Sequence, residues 1–165
     1  FRIFIGLTQN TRRNAVCELL QKLGFIVKIQ IKRALGHVRS ADDLVDYAEI
    51  LNEWENDPGI EVNLTIDREQ EGWDGHVGFV PAYLKELGFD TNKTALLCGP
   101  PIMIKFTLDG LKELGFQEEQ VYTTMELRMK CGIGKCGRCN IGDKYVCKDG
   151  PVFRFDELSE LPNEY

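Results

Sequence analysis

Apolar residues recur along the chain in short segments whose spacing changes between that of a strand and that of a helix. The run 60–66 alternates apolar and polar residues, which is the period of a half-buried strand. Four other runs are mostly apolar. Together with 60–66 they predict five strands, at 1–7, 25–31, 60–66, 94–97 and 121–125. Residues 32–38 have no clear period, and 68–78 is predicted to be a polar loop.

Between these strands, apolar residues follow a helical period and end at turn-forming residues. Four helices are predicted, at 15–23, 44–54, 81–87 and 101–114, with Gly24, Gly59, Gly88 and Gly115 at their ends. Alternation of strand and helix predicts an α/β fold with a five-stranded parallel sheet and helices on both faces. We expect residues 1–125 to form this domain, followed by a small domain at 126–165.

Polar and glycine residues follow the predicted strands at one edge of the sheet. Ligands of parallel sheets bind beyond the carboxyl ends of the strands. The residues predicted to converge there are 8–11, Arg39 with Ser40, Asp67 with its loop, and 98–100. The sequence therefore predicts one crevice formed by these segments.

Four of the six cysteines lie close together near the C-terminus. Cys131, Cys136, Cys139 and Cys147 have the spacing C-x4-C-x2-C-x7-C, whose first part matches the ligand pattern of [2Fe–2S] clusters. Glycines alternate with these thiols and allow sharp bends. A turn at 142–143 would bring the fourth cysteine back to the other three.

Other states of these thiols are open at this point. Four cysteines can bind structural zinc, although zinc ribbons usually have two C-x2-C pairs and this chain has one. Disulfides require an oxidising compartment. Cys17 is interpreted as a small buried residue of a helix.

Composition and charge exclude several classes of protein. The 165 residues are 43% hydrophobic and 28% charged, as in an ordinary globular protein. A net charge of −6 argues against nucleic acid as the partner. No apolar run approaches the roughly 20 residues of a membrane span, and no signal peptide is visible. We therefore expect a cytoplasmic protein.

Two motifs together resemble a known family. Residues 98–103, Cys-Gly-Pro-Pro-Ile-Met, are similar to the C-G-P-x-x-M motif of ferredoxin–NADP reductase-like proteins. With the four-cysteine loop, and with Asp67 and the loop through Trp73 and His76, the chain resembles the flavin-containing electron-transfer subunits of cytosolic NiFe hydrogenases (sulfhydrogenase gamma) and of anaerobic sulfite reductase. The dihydroorotate dehydrogenase electron-transfer subunit is a more distant relative.

The resemblance implies that electrons pass between NAD(P)H, FAD and a [2Fe–2S] cluster, and then to or from a partner enzyme such as a hydrogenase or a sulfite reductase. By position, Cys98 would lie beside the nicotinamide, and the four loop cysteines would bind the cluster. The remaining residues implied in nucleotide binding are Gly6, Arg39, Ser40, Asp67, Gly99, Pro100 and Met103. Trp73 and His76 are expected to hold their loop rather than to react.

Two features depart from that family. Its members carry an FAD-binding β-barrel before the nucleotide domain, so we expect FAD to be bound mainly by residues outside these 165. The glycine-rich turn after the first strand is reduced to Ile5-Gly6-Leu7. One alternative hypothesis is therefore a cluster protein without nucleotide binding. Another is a non-catalytic zinc-binding assembly module on a nucleotide-domain scaffold.

Overall fold

A computed structural model of the chain describes residues 2–7, 30–31, 33–38, 40–42, 52, 55–58, 60–125 and 127–159. Within these residues the strands are β1 (Arg2–Leu7), β2 (Gln30–Ile31), β3 (Arg33–Val38), β4 (Glu61–Ile66), β5 (His76–Val77), β6 (Thr94–Leu97), β7 (Val121–Thr124), β8 (Asn140–Ile141), β9 (Lys144–Tyr145) and β10 (Val152–Arg154). The helices are α1 (Val80–Leu87), α2 (Pro101–Leu114), α3 (Val146–Asp149) and α4 (Phe155–Ser159), with a 3₁₀ helix at Glu118–Gln120.

The main sheet is parallel except at one edge. Its strand order is β10-β7-β6-β1-β3-β4-β5, and β2 also pairs with β1. β10 runs antiparallel to β7, whereas the other pairs are parallel. The five-stranded, wholly parallel sheet of the sequence prediction is therefore not confirmed, because β5 and β10 extend the sheet at its two edges.

The second long strand lies later in the chain than the sequence predicts. β3 occupies Arg33–Val38, a segment without a clear period, and pairs over its whole length with β4. Gly36 lies opposite Leu64, and a Cβ at Gly36 would stand 2.9 Å from Leu64 Cδ2. The missing side chain makes room for that leucine, which explains why β3 does not alternate in the usual way.

The chain reverses its direction across the sheet between β1 and β6. From β1 it proceeds to β3 and β4, and then returns to β6 and β7 on the other side of β1. Gly6 pairs with Leu35 on one side and with Leu97 on the other. This reversal point is where open parallel sheets bind their ligands.

Two helices pack over the sheet and close the main core. α2 begins at Pro101, which needs no amide hydrogen in the first turn, and ends at Gly115, whose φ of 96° is left-handed. Gly110 lets α1 approach, since a Cβ there would lie 3.3 Å from Leu84 Cδ2. The buried core contains Leu35, Val80, Leu84, Ala95, Leu97, Ile104, Leu108, Leu111, Phe116 and Val121. The predicted helices at 15–23 and 44–54 fall outside the described residues, except Asn52.

A second, smaller core lies beside the cysteine loop. It consists of Met125, Cys139, Ile141, Val146, Phe153 and Leu158. The pairing of β10 with β7 and a hydrogen bond from Met125 N to Pro151 O at 2.9 Å attach it to the main sheet. The search of the described residues found no helix with the length and apolar character that crossing a membrane requires.

Candidate functional site

The loop that carries the four cysteines bends at glycines in the left-handed conformation. Gly132, Gly134 and Gly137 have φ values of 71°, 72° and 70°. L-residues with a side chain rarely adopt this conformation, so the glycines permit turns between neighbouring thiols. Gly142, at φ 54°, forms the turn between β8 and β9. This hairpin returns the chain to the loop as the sequence predicts.

Backbone amides of the loop donate hydrogen bonds to two of the sulfurs. Lys135 N and Cys136 N lie 3.2 and 3.4 Å from Cys131 Sγ, and Gly134 N lies 3.3 Å from Cys147 Sγ. Amides of Ile133, Cys136 and Lys135 lower the pKa of the Cys131 thiol to about 6. Such donors favour thiolate, which is the form that binds metal. The neighbouring Cys139 thiol raises the pKa of Cys147.

The four thiols differ in burial and associate as two pairs. Cys139 is buried in the second core, Cys136 is exposed, and Cys131 and Cys147 are intermediate. Cys131 lies near Cys136, which lowers its pKa, and Cys147 lies near Cys139, which raises its pKa. In the described part of the chain, no three or more His, Cys, Asp or Glu side chains are grouped so as to hold a metal ion. Two thiol pairs fit a centre of two irons, in which each iron takes two thiolates.

Cys98 lies directly after β6, beneath the surface. It is fully buried, and Thr124 Oγ1 of β7 donates a hydrogen bond to Cys98 Sγ at 3.2 Å. Pro100 precedes α2 and accepts a hydrogen bond from Ile104 N at 3.1 Å. Met103 packs against the main core, and its sulfur accepts a hydrogen bond from Thr107 Oγ1. The motif at 98–103 thus links a strand end to a helix N-terminus at the reversal point.

Asp67 contacts a residue that the sequence did not indicate. Its Oδ1 lies 2.8 Å from Nε2 of His37 at the end of β3, outside hydrogen-bond geometry, and both atoms are buried from water. The Phe79 ring, 6.2 Å from the His37 ring, is largely exposed. His37 was missed because the segment 32–38 gave no strand signal. Phe79 was missed as well, because its position between a glycine and a valine is typical of the ordinary start of a helix.

The loop after β4 is fixed by its own side chains and by a contact with the segment that contains Ser40. The His76 ring stacks on Tyr83 at 3.7 Å, and Trp73 Nε1 donates to His76 O at 3.0 Å. These contacts hold the loop, as expected for both residues. Gln70 accepts a hydrogen bond from Ala41 N at 2.8 Å, so the segment with Ser40 lies against the loop that follows Asp67.

The structure thus brings several predicted nucleotide residues to one edge of the sheet. Gly6 and Leu97 pair across β1 and β6, which places Gly6 near Cys98 and Gly99. The segments that contain Asp67 and Ser40 meet on the other side of β1. Arg39 lies outside the described residues. Tests of nucleotide binding must therefore examine Arg39 by substitution.

Comparison with known proteins identifies both parts of the chain. Residues 28–109 match the oxidoreductase NAD-binding domain, and residues 126–159 match the iron–sulfur cluster binding domain of dihydroorotate dehydrogenase B. Among solved structures, the CS-b5R domains of human Ncb5or in the NAD+ form align with a TM-score of 0.61 and 18% identity, over 74% of this chain and 36% of that one. The cytochrome b5 reductase domain of Ulva prolifera nitrate reductase aligns with a TM-score of 0.57 and 20% identity, over 73% and 47%. These likenesses show a ferredoxin reductase-like fold.

Curated relatives are subunits of sulfhydrogenase and of dihydroorotate dehydrogenase B. The chain is 37% identical to the sulfhydrogenase 1 gamma subunit of Pyrococcus furiosus, over 78% of this chain and 46% of the relative. It is 43% identical to the electron transfer subunit of dihydroorotate dehydrogenase B (NAD(+)) of Clostridium perfringens, over 50% and 32%. The chain thus spans less than half the length of these relatives. The chain thus has an NAD-binding oxidoreductase domain and an iron–sulfur cluster binding domain, and it is a homologue of the sulfhydrogenase gamma subunit and of the dihydroorotate dehydrogenase B electron transfer subunit.

Proposed function

We propose that this chain is the NAD(P)-binding and [2Fe–2S] portion of a flavoprotein electron-transfer subunit. Electrons would pass between NAD(P)H, FAD and the cluster, and then to or from a partner oxidoreductase such as a hydrogenase or a sulfite reductase. FAD would be bound mainly by residues outside this chain. The proposal is supported above all by one observation, the thiol loop with amide donors aimed at its sulfurs.

The cluster would be held by Cys131, Cys136, Cys139 and Cys147. When bound, it supplies one-electron redox chemistry. The loop amides would stabilise negative charge on the sulfurs, because hydrogen bonds to cluster ligands favour the charged state. Burial of Cys139 in the second core would hold one side of the site away from water.

The nucleotide would lie at the carboxyl edge of the sheet. We assign its binding to Gly6, Arg39, Ser40, Asp67, Gly99, Pro100 and Met103. Cys98 would lie beside the nicotinamide ring, with its rotamer restrained by the hydrogen bond from Thr124. Since Cys98 is fully buried, contact with the ring would require its side chain to become accessible when the nucleotide binds.

The two proposed sites share one framework. Thr124 contacts Cys98 and also pairs with Val152 of β10, which belongs to the cluster-binding part. A continuous sheet through β6, β7 and β10 would limit the movement of the cluster site relative to the nicotinamide site. We place the domain boundary at 125/126, helices on both faces of the sheet, and the protein in the cytoplasm, where free thiols stay reduced.

The first test is an anaerobic visible absorption spectrum with iron, sulfide and zinc analysis on the same sample. We expect about two irons and two sulfides per chain, with absorption bands that bleach on reduction. Cys139→Ser is expected to lose the iron, whereas the control Cys17→Ser, outside the loop, keeps it. One zinc and no iron would contradict the proposal and favour the zinc assembly module.

The second test is a titration with NADH and with NADPH, followed by the fluorescence of the tryptophans. We expect saturable binding of at least one nucleotide that is weakened by Asp67→Ala and by Arg39→Ala. Comparison of the two nucleotides determines whether NAD or NADP is preferred. Absence of binding to the cluster-loaded chain would leave a cluster protein without a nucleotide site.

A further inference from the structure

Positive charge is concentrated around the cysteine loop of an acidic chain. Residues 128–148 contain six Lys and Arg and one Asp, whereas the other residues contain fourteen Lys and Arg against twenty-five Asp and Glu. The six cations, here called the basic collar, are Arg128, Lys130, Lys135, Arg138, Lys144 and Lys148. The segment that contains the proposed cluster ligands is therefore positively charged, in a chain that is otherwise acidic.

The basic collar is not neutralised by the described part of the chain. None of its six side chains forms an ion pair with a described residue, and all but Lys144 are exposed. Cations elsewhere do form such pairs, as Arg33 does with Glu61, Lys85 with Glu113 and Lys112 with Glu118. Charge that folding leaves unpaired on one surface is available to an outside partner.

The segment that carries the collar also contains exposed apolar side chains. Met129 is 47% exposed and Ile133 is 61% exposed, and both lie between collar residues in the sequence. An apolar centre with a charged rim is the usual composition of a protein–protein interface. Binding to an extended polyanion such as DNA would gain little from these two side chains and would be opposed by the acidic remainder of the chain.

We propose that the basic collar, together with the exposed side chains of Met129 and Ile133, is the docking surface for an acidic protein that exchanges electrons with the cluster. This inference rests on the proposed function, because it assigns a partner chemistry to the same site. A bound cluster with its thiolates is itself anionic and would offset part of the collar. The remaining positive field would attract and orient an acidic partner, with the greatest effect on the association rate.

The first experiment measures the sign of the charge at the point where electrons leave. The cluster-loaded full chain, reduced and desalted anaerobically, is mixed by stopped flow with ferricyanide or with hexaammineruthenium(III). We expect ferricyanide to react faster at low salt and to slow as salt is added. The triple variant Lys130→Gln/Lys135→Gln/Arg138→Gln is expected to lower the low-salt ferricyanide rate constant about tenfold.

Two comparisons separate docking from other effects. The control Lys85→Gln/Lys105→Gln/Lys112→Gln removes the same charge from α1 and α2, and its rate constants are expected to match those of the parent. The collar variant should slow ferricyanide but accelerate hexaammineruthenium(III). A mere change in cluster potential would move both rates in the same direction. That outcome, or equal salt dependence in parent and collar variant, would overturn the proposal.

The second experiment measures binding and does not depend on the cluster. An acidic plant-type ferredoxin is the probe, titrated calorimetrically into the full chain with and without iron. We expect the collar variant and Ile133→Ser to weaken binding about tenfold. The matched control is Ile102→Ser on α2, because Ile102 is 62% exposed and Ile133 is 61% exposed.

The outcomes distinguish the two proposals. If the chain binds no iron but still binds ferredoxin in a way that depends on the collar, the cluster proposal is refuted and the docking-surface proposal stands. Ferredoxin binding that is absent, or equal in parent and collar variant, would overturn the docking surface even where the cluster is present. Duplex DNA bound as tightly as the ferredoxin would also overturn it, since the collar would then be a general polyanion site.

Discussion

The main sheet and the cysteine loop hold their functional side chains by different physical means. Cys98 follows a strand whose last three residues are fully buried, and α1 and α2 pack against that strand's face. Cys131 and Cys136 lie on a chain without regular structure, where left-handed glycines and amide–sulfur hydrogen bonds define the path. Apolar burial fixes the first site, so its shape precedes any ligand. Only Cys139 of the second site is buried, so we expect the order of the loop to depend largely on the metal centre.

Removal of iron should therefore affect the two regions unequally, and this is the largest effect we expect. After chelation under reducing conditions, amides of the loop, including those of Gly134, Lys135 and Cys136, should lose nearly all protection from hydrogen exchange. Amides of β6 and α2 should keep theirs, because the main core is unchanged. Hydrogen exchange with mass spectrometry of the iron-loaded and iron-free chain measures this. Equal loss in both regions would show that the sheet also depends on the cluster.

A pair of substitutions on α2 tests the importance of burial in the sheet region. Ile104 is 1% exposed and Ile102 is 62% exposed on the same helix. Ile104→Ala should lower the free energy of unfolding by about 2–5 kcal/mol, since it leaves a cavity in the main core. Ile102→Ala should change it by less than about 0.5 kcal/mol. Urea unfolding followed by circular dichroism checks both, and equal effects would contradict the assignment of the core.

The glycines of the cysteine loop test the importance of backbone conformation rather than of burial. Gly132 and Gly134 share a left-handed φ, but a Cβ at Gly134 would also lie 3.3 Å from Lys148 Cδ, whereas a Cβ at Gly132 would meet nothing within 4 Å. Each alanine should cost about 1–2 kcal/mol through its backbone conformation. Gly134→Ala should cost more than Gly132→Ala because of the added contact. Iron retention against increasing chelator measures the difference, and unchanged retention in both variants would show that the loop does not need these conformations.

Sequence patterns predicted the features that depend on the conformational preferences of single residues, such as helix ends and turns. Pro101 and Gly115 marked the two ends of α2, and Gly142 marked the turn of the β8–β9 hairpin, because these residues act on their own backbone. β3 was not predicted, since Gly36 accommodates Leu64 of a neighbouring strand and so breaks the local period. β10 was not predicted as a strand either, because three residues gain their conformation from pairing with β7.

The site shows the same division between local and distant determinants. The cysteine spacing and its glycines indicated a cluster loop without knowledge of the fold. The contact of His37 with Asp67 depends on the register between β3 and β4, which no sequence spacing reveals. The contact of Thr124 with Cys98 depends likewise on the pairing of β6 with β7. Contacts that depend on a neighbouring strand were therefore not predicted, whereas bends that depend on the residues of one loop were.

The smallest expected effect on stability comes from surface ion pairs. One such pair lies in each of the two regions, so the same chemistry can be compared between them. Arg154 binds Asp156 through two hydrogen bonds of 2.6 and 2.7 Å beside the second core, and Lys93 lies 2.6 Å from Asp90 beside the main sheet. Each cation lowers the pKa of its carboxyl group below the ordinary value. The folded pKa is thus below the unfolded pKa of about 4, so each pair stabilises the fold above that pH and loses its contribution as the pH falls through the folded pKa.

Asp156→Asn and Asp90→Asn should therefore each lower stability slightly at pH 7 and by less at pH 3, with a smaller effect in high salt. Thermal unfolding of parent and variants at both pH values measures this. Because the Asp90 side chain is 49% exposed and the Asp156 side chain is 28% exposed, water screens both pairs and we expect small effects in the two regions. A much larger effect of Asp156→Asn would mean that charge pairing, and not only the metal centre, holds the cluster-binding part together. The contrast between the two regions would then rest on electrostatics as well as on burial.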